Sequence, residues 1–385
     1  MLRKILTAST ILLASCAPQT GSDEVETTPS SKAVAKIATI SDVEVLHGDS
    51  ANEFGLTWSV DEPGAGVSIF VSTLPSDPAP SLIAEDVVGG VFDWTASGEP
   101  QRRYFTVSGS GDARDGKTAA ARLLPLEGGR NFRDLGGYET TDGKTVKWGH
   151  AFRSGVMHEL TDADYDYLSG IGVKVICDFR ESDERLREPT DWRGGAAEYL
   201  TFADPAEEDP ADNPMFAALL SPDSTADDVA AGMAEGYVEI AKGEAEGYTK
   251  MFDRLAAGDI PLAFNCSAGK DRAGTAAALL LTALGVPRAT VVYDYSLSDD
   301  YVDYMAEFLN DEARAEAAAD PDNPYAFLFQ LPPEKVAPLL ASHPMYIEAT
   351  FDALDEEYGS VMSFIQTELG VTDAELASIR RALLE

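Results

Sequence analysis

The chain has 385 residues, 44% hydrophobic and 25% charged, a globular composition with room for two cores. Acidic residues outnumber basic ones by 66 to 29, a formal net charge of −37, which disfavours nucleic acid and anionic headgroups as partners and reads as a solvated surface. Four scattered histidines, none paired at helical ligand spacing, leave no metal site legible, and no motif asks for a cofactor.

Arg3 and Lys4 precede an apolar run over 5–14 that closes on Leu13-Ala14-Ser15-Cys16. Too short to span a bilayer and ending in small residues before a cysteine, the run has the pattern of a lipoprotein signal over 1–15, with Cys16 as the lipidated amino terminus. Its removal takes two positive charges and brings the formal charge from −37 to −39, so membrane contact is expected through acyl chains and not through a basic patch. No Asp follows Cys16 to suggest inner-membrane retention, and the expected location is the bacterial cell envelope, at the outer membrane.

Residues 16–35, rich in Pro, Ser, Thr and acids, read as a flexible tether. Over 36–124 the pattern turns to short alternating strands: Leu56, Trp58 and Val60 share one face, Val67, Ile69 and Val71 repeat the period, and further strands follow near 91–94 and 103–107 after Gly, Pro and Asp turns. About seven strands imply a small all-β sandwich resembling fibronectin type III modules, with Trp58 and Tyr104 as core aromatics. It serves either as a spacer or as a partner-binding module.

Residues 125–385 form a second domain. Thr161 and Asp164 have the spacing of a capping box opening a helix through Leu168, and 173–177 is a buried strand running into Asp178-Phe179-Arg180. Arg133, Arg153 and Arg180 either add charge to a pocket or form structural ion pairs. An acidic stretch over 203–247 holds an expected helix at 225–241.

The chemistry concentrates in 261–281. A short apolar run at 261–264 and an Ala/Leu-rich run at 275–284 predict a strand-to-helix turn holding Cys266, with Gly269 and Gly274 letting the backbone curl so that N–H groups converge. Such a cup binds an anion, with Ser267, Ala268 and Gly269 lining it. Inward dipoles and Arg272 would lower the Cys266 thiol below its free pKa of about 8.5. Arg272 offers a fork to two phosphate oxygens, and Lys270 adds a point charge at the rim. Attack of sulfur on phosphorus would give a phosphocysteine that water hydrolyses. A Walker loop is excluded, since Phe264 and Asp271 stand where its Gly and Ser/Thr belong. Strands ending beside this turn would bring Asp178 and Arg180 to it.

Beyond it, 287–297 leads into further helices and 344–384 has helical spacing throughout, while Tyr293, Tyr295, Tyr301 and Tyr304 suggest core or groove aromatics. Nothing in the chain indicates an oligomeric state.

The turn Cys266-Ser-Ala-Gly-Lys-Asp-Arg272 resembles the Cys-x-x-Gly-Lys-Asp-Arg signature of bacterial tyrosine and dual-specificity phosphatases of the type secreted by mycobacteria, and 128–155, GGRNFRDLGGYETTDGKTVKWGHAFRSG, is similar to that family's amino-terminal signature. The resemblance implies an α/β cysteine-dependent phosphatase fold with a mainly parallel sheet flanked by helices, nucleophile Cys266, phosphate ligand Arg272, and Lys270 and Asp271 in the active site. It also implies that 203–247 covers the site as a lid, against the plain alternative of a helical insertion. Substrates would be a phosphorylated protein, a phosphoinositide or a small phosphate ester. Two positions depart from the pattern: Asn265 replaces His before the cysteine, and Ala273 replaces the Thr or Ser whose hydroxyl assists release of sulfur. A phosphate-binding module with slow turnover is therefore the alternative to an enzyme.

No tryptophan is followed by Pro-Asp, so Asp271 is the expected general acid, with Asp178 as rival and an acidic rate optimum. Cys177 and Cys266, if on neighbouring strands, would either pair reversibly or leave Cys177 inert.

Overall fold

The computed structural model describes residues 38–204, 214–319 and 326–385. The expected signal over 1–15, the lipidation site Cys16 and the tether over 16–35 lie outside the described residues, as do 205–213 of the expected lid.

Seven strands come first: β1 (Ile40–His47), β2 (Glu53–Val60), β3 (Val67–Ser72), β4 (Ser81–Val87), β5 (Val91–Thr95), β6 (Tyr104–Ser108) and β7 (Lys117–Ala119). They form two antiparallel sheets, ordered β1-β2-β5 and β4-β3-β6-β7. Along β2 the buried residues are Phe54, Leu56 and Trp58, the period of two that a strand with one inward face requires. They share a core with Ile69, Val71, Tyr104, Phe105 and Val107 from the other sheet, and Trp94 meets Phe105 edge to face at 5.6 Å.

A third sheet contains β8 (Arg133–Asp134), β9 (Ala151–Ser154), β10 (Val175–Asp178), β11 (Glu198–Thr201) and β12 (Leu262–Asn265), in the order β11-β10-β12-β9-β8. All pairings are parallel except β8 on β9. β9, β10 and β12 are buried along their whole length because both faces are covered, which is why β10 and β12 open as apolar runs, Val175–Cys177 and Leu262–Phe264, and not as alternation. Ala151, Val175, Cys177, Leu262 and Phe264 face the larger core, and Phe152, Ile176 and Ala263 face the smaller one.

Helix α1 (Asp162–Ile171) supplies Tyr165 and Leu168 to the smaller core. Its Thr161/Asp164 capping box forms as expected, and Gly172 ends it in the left-handed region at φ 71°. Next come α2 (Ser182–Arg187), α3 (Pro214–Leu220), α4 (Ala226–Gly243) and α5 (Ala245–Ala257). Helix α4 buries Val229, Met233, Tyr237 and Ala241, a stripe at four-residue spacing that the Thr225 cap sets in register. Met233, Tyr237 and Ala241 belong to the larger core, so α4 is a packed insertion and not a free cover.

Helices α6 (Arg272–Leu284) and α7 (Arg288–Tyr301) follow β12, then α8 (Tyr304–Phe308), α9 (Asp311–Ala319), α10 (Pro333–Leu340), α11 (Pro344–Tyr358), α12 (Val361–Thr367) and α13 (Asp373–Leu383). Helix α6 is buried almost throughout, matching its Ala/Leu composition. Tyr295 and Tyr304 are core residues, whereas Tyr293 is 57% exposed on the outer face of α7, contrary to expectation.

The sandwich packs directly on the α/β region. Trp148 lies in the sandwich core and donates its indole N–H to Thr118 O at 3.1 Å. Arg102 forms a buried ion pair with Asp134 of β8 at 2.9 Å. Ala38–Glu385 is thereby one compact unit.

Candidate active site

In the parallel sheet Asn265 stands level with both Asp178 and Ser154, so three strands end together and the residues following them share one edge. Residues 266–271 turn from β12 into α6 at that edge. The carbonyls of this turn are bound from outside. Ser267 O accepts from Val156 N at 3.0 Å and Arg130 Nη1 at 3.3 Å, and Ala268 O from the Tyr304 hydroxyl at 2.9 Å. Gly269 O accepts from Arg153 Nη2 at 2.8 Å and Asn131 Nδ2 at 3.0 Å, and Lys270 O from Arg153 Nη2 at 3.3 Å. In a planar trans peptide the N–H points opposite to the carbonyl, so holding these oxygens outward turns the N–H groups of residues 268–271 inward. Gly269 N–H accordingly donates to Cys266 Sγ at 3.3 Å.

The two glycines do different work. Gly269 has φ 75°, and a Cβ there would lie 2.4 Å from Gly155 N, so only glycine fits. Gly274 lies inside α6, where a Cβ would meet Arg153 Nη2 at 2.9 Å and the Tyr295 ring. It makes room for the arginine that holds the turn and does not shape the turn itself.

Cys266 is buried. Burial pushes its thiol up, and the charge of Asp271 adds to this, while Arg272 and the N–H groups of Ala273 and Gly269 pull it down without prevailing. The expected depression of the thiol pKa is therefore not met in this arrangement. One physical reason is that Arg272 is engaged elsewhere. Its Nη1 and Nη2 donate to the two carboxylate oxygens of Glu184 on α2 at 2.6 and 2.7 Å, and Nη1 also reaches Phe179 O at 3.1 Å. Ser267 Oγ donates to Glu184 Oε1 at 2.6 Å, so this hydroxyl too is turned to the carboxylate. Burial raises the Glu184 pKa, but the hydrogen bonds and charge of Arg272 outweigh it and bring it to about 2.

Several expected site residues sit differently. Lys270 is not at the rim: it is buried, and its Nζ donates to Asp271 Oδ1 at 2.7 Å, Leu339 O at 3.0 Å and Ala341 O at 3.3 Å, tying the turn to the end of α10. Asp178 and Arg180 do not face the cup but spend their charges on each other, at 2.7 Å between Nη2 and Oδ2. Asp178 also accepts from Asn265 Nδ2 at 3.0 Å and the Tyr199 hydroxyl at 2.6 Å, which removes it as a rival acid. Arg133 and Arg153 form a structural cluster with Asp294, at 3.7 and 3.0 Å. Cys177 and Cys266 are free although their strands are neighbours, because Cys177 stands opposite Phe264 and Cys266 lies past the strand end. Burial pushes the Cys177 thiol up to about 12, which makes it inert.

Asp271 keeps a partly exposed side chain beside Cys266, held through Oδ1 by Lys270 and the Tyr237 hydroxyl. Glu184, Arg130, Asn131 and Tyr237 were not singled out from the sequence, and Tyr304 was read only as a core or groove aromatic. Arg130 and Asn131 fall within the 128–155 block, which was the one signal that contained them. Glu244, at the start of α5, lies near Arg272, Glu181 and Glu184, and burial raises its pKa to about 7.

A buried cysteine in a cup of inward N–H groups, with an arginine six residues on and a carboxylate beside it, brings together a nucleophile, an anion cradle and a carboxyl group at one sheet edge. The chain belongs to the tyrosine phosphatase family, whose model matches residues 124–385, and it is an enzyme of protein-tyrosine-phosphatase type. It is similar to a candidate tyrosine-protein phosphatase of Cupriavidus necator, 32% identical over 246 residues, covering 64% of this chain and 84% of that one. A tyrosine-protein phosphatase of Nostoc commune is 28% identical, over 59% of this chain and 72% of its own. The triple specificity protein phosphatase PtpB of Mycobacterium tuberculosis is 28% identical, over 69% of this chain and 99% of its own.

Proposed function

We propose that the chain hydrolyses phosphate monoesters through a phosphocysteine on Cys266. The observation that carries this reading is the outward-held carbonyl series of the turn, which dedicates its N–H groups to an anion beside the sulfur. The Cys266 thiolate attacks phosphorus, and the bond to the leaving oxygen breaks as that oxygen takes a proton from Asp271. Water then attacks the phosphocysteine, gives its proton to Asp271, and the thiolate leaves. Arg272 and the N–H groups at 268–271 hold the phosphoryl oxygens, with Arg272 exchanging part of its Glu184 contact for substrate. Burial pushes the thiol up in the free enzyme, and Arg272 and the N–H groups of Ala273 and Gly269 oppose it.

Substrates on this reading are phosphorylated proteins, phosphoinositides or small phosphate esters, a breadth supported by the likeness to a triple specificity relative. We further place the enzyme at the bacterial envelope, anchored by lipid on Cys16 with 16–35 as tether, and read 36–124 as a fibronectin-III-like spacer ahead of the catalytic domain at 125–385. The signal pattern over 1–15 and the two antiparallel sheets support this arrangement.

Ala273, fully buried and lacking a hydroxyl next to Cys266, favours a second reading, a phosphate binder that releases its phosphoenzyme slowly. Incubation with para-nitrophenyl phosphate separates the two. Sustained release that Cys266→Ser abolishes supports the enzyme, a single stoichiometric burst supports the slow binder, and equal release by wild type and Cys266→Ser sinks both.

A further inference from the structure

Asp271 is gripped by one oxygen only in the contacts that define its place. Lys270 Nζ donates to Oδ1 at 2.7 Å, and the hydroxyl of Tyr237, from α4, donates to the same atom. Behind it the hydroxyl of Tyr295, from α7, donates to Tyr237 at 2.6 Å. Both rings are fully buried and meet edge to face at 5.7 Å, with Tyr346 of α11 against Tyr237 at 5.5 Å. Tyr237 accepts from Tyr295, so its single proton is committed to Asp271. Burial raises both phenols well above their usual range, so both are protonated donors at neutral pH.

We propose that Tyr237, backed by Tyr295, is a positioning residue that fixes Oδ1 of Asp271 and so makes Oδ2 the atom that passes the proton to and from substrate. This rests on the reading of Cys266 as nucleophile and Asp271 as proton donor. Two donors converge on Oδ1 and leave no room for a proton there, so the acid's hydrogen resides on Oδ2. When the P–O bond breaks, that hydrogen goes to the leaving oxygen and negative charge spreads onto Oδ1, where the Tyr237 hydroxyl and the Lys270 ammonium already point. In the second step water's proton returns to Oδ2 as the S–P bond breaks. Other titratable groups facing Asp271 are Cys266 on the turn, Tyr304 on α8 and Tyr346 on α11. None of these is placed on the carboxylate oxygens by a hydrogen bond as Tyr237 and Lys270 are.

The test uses the full chain and two substrates, phenyl phosphate with a poor leaving group and para-nitrophenyl phosphate with a good one. Tyr237→Phe should lower kcat on phenyl phosphate about tenfold with KM unchanged, and lower kcat on para-nitrophenyl phosphate by no more than about twofold. In an Asp271→Asn background the same substitution should change neither rate, because the side chain it positions no longer carries a transferable proton. Tyr295→Phe keeps the direct bond and should show the same selectivity at smaller amplitude, which also covers a Tyr237→Phe chain that fails to fold. Equal fractional losses on the two substrates, or an undiminished loss in the Asp271→Asn background, would overturn the proposal. Failure of the underlying reading looks different: Asp271→Asn itself would then lose activity equally on both substrates.

Discussion

Two arginine–carboxylate clusters flank the turn at 266–271, and they differ in what their charges are free to do. On the β8–β9 side, Arg133, Arg153 and Asp294 are sealed, and the Arg153 fork is divided between Asp294 and two carbonyls of the turn. On the α2 side, the side chains of Arg272 and Glu184 keep 17% and 12% exposure, and the pair closes end to end on itself. The first cluster holds backbone, since a charge that can meet neither water nor ligand can only fix its neighbours. In the second, a carboxylate occupies a fork shaped for another oxyanion. Exposure, and not the type of pair, separates scaffold from site.

The comparison breaks most visibly at Asp294. Replacing it by Ala leaves two buried guanidinium groups without a carboxylate, and we expect a loss of about 3–5 kcal/mol of stability in denaturant titration. An Asp294→Ala chain within about 1 kcal/mol of wild type would show that the sealed cluster is not scaffold.

Glu184 gives the next largest effect, and its sign follows from linkage. Its pKa falls from the ordinary 4.5 to about 2 on folding, so its contribution is fully present above 4.5 and is lost as pH falls through 2. The shift corresponds to about 3 kcal/mol at most. Glu184→Gln should therefore flatten the stability–pH curve across that window while leaving its slope above pH 5 unchanged.

Glu244 has the opposite sign. Its pKa, raised by burial from 4.5 to about 7, means that the folded chain holds the proton more tightly and loses stability as pH rises through that interval. Glu244→Gln should stabilise by about 1 kcal/mol at pH 8, after allowance for partial exposure, and match wild type at pH 4. The curvature of thermal melts against pH distinguishes these two carboxylates directly.

What the sequence showed and what it hid follow the same division. Local grammar was legible: period-two alternation in β2, the Thr161 cap of α1, and the strand–turn–helix around Cys266 all depend on residues close in sequence. Partners were not. Whether Arg133, Arg153, Arg180 and Lys270 point into the cup or away from it depends on Asp294, Asp178 and the end of α10, up to 161 residues distant along the chain. Glu184 carries no local mark, because an acidic residue in the first turn of a helix is ordinary. The thiol was read from its turn alone, whereas its burial and the diversion of Arg272 to Glu184 are tertiary facts. Gly274 looked like a turn glycine and is a clearance for Arg153.

The central claim is that Cys266 takes the phosphoryl group. Mixing the enzyme with excess para-nitrophenyl phosphate, quenching in acid within the first turnovers and mapping the peptides by mass spectrometry tests it most directly. The account predicts one phosphoryl group on the peptide containing Cys266, carried on sulfur and lost in Cys266→Ser. Turnover at full rate with no phosphopeptide at Cys266, or with the label on another residue, would contradict it.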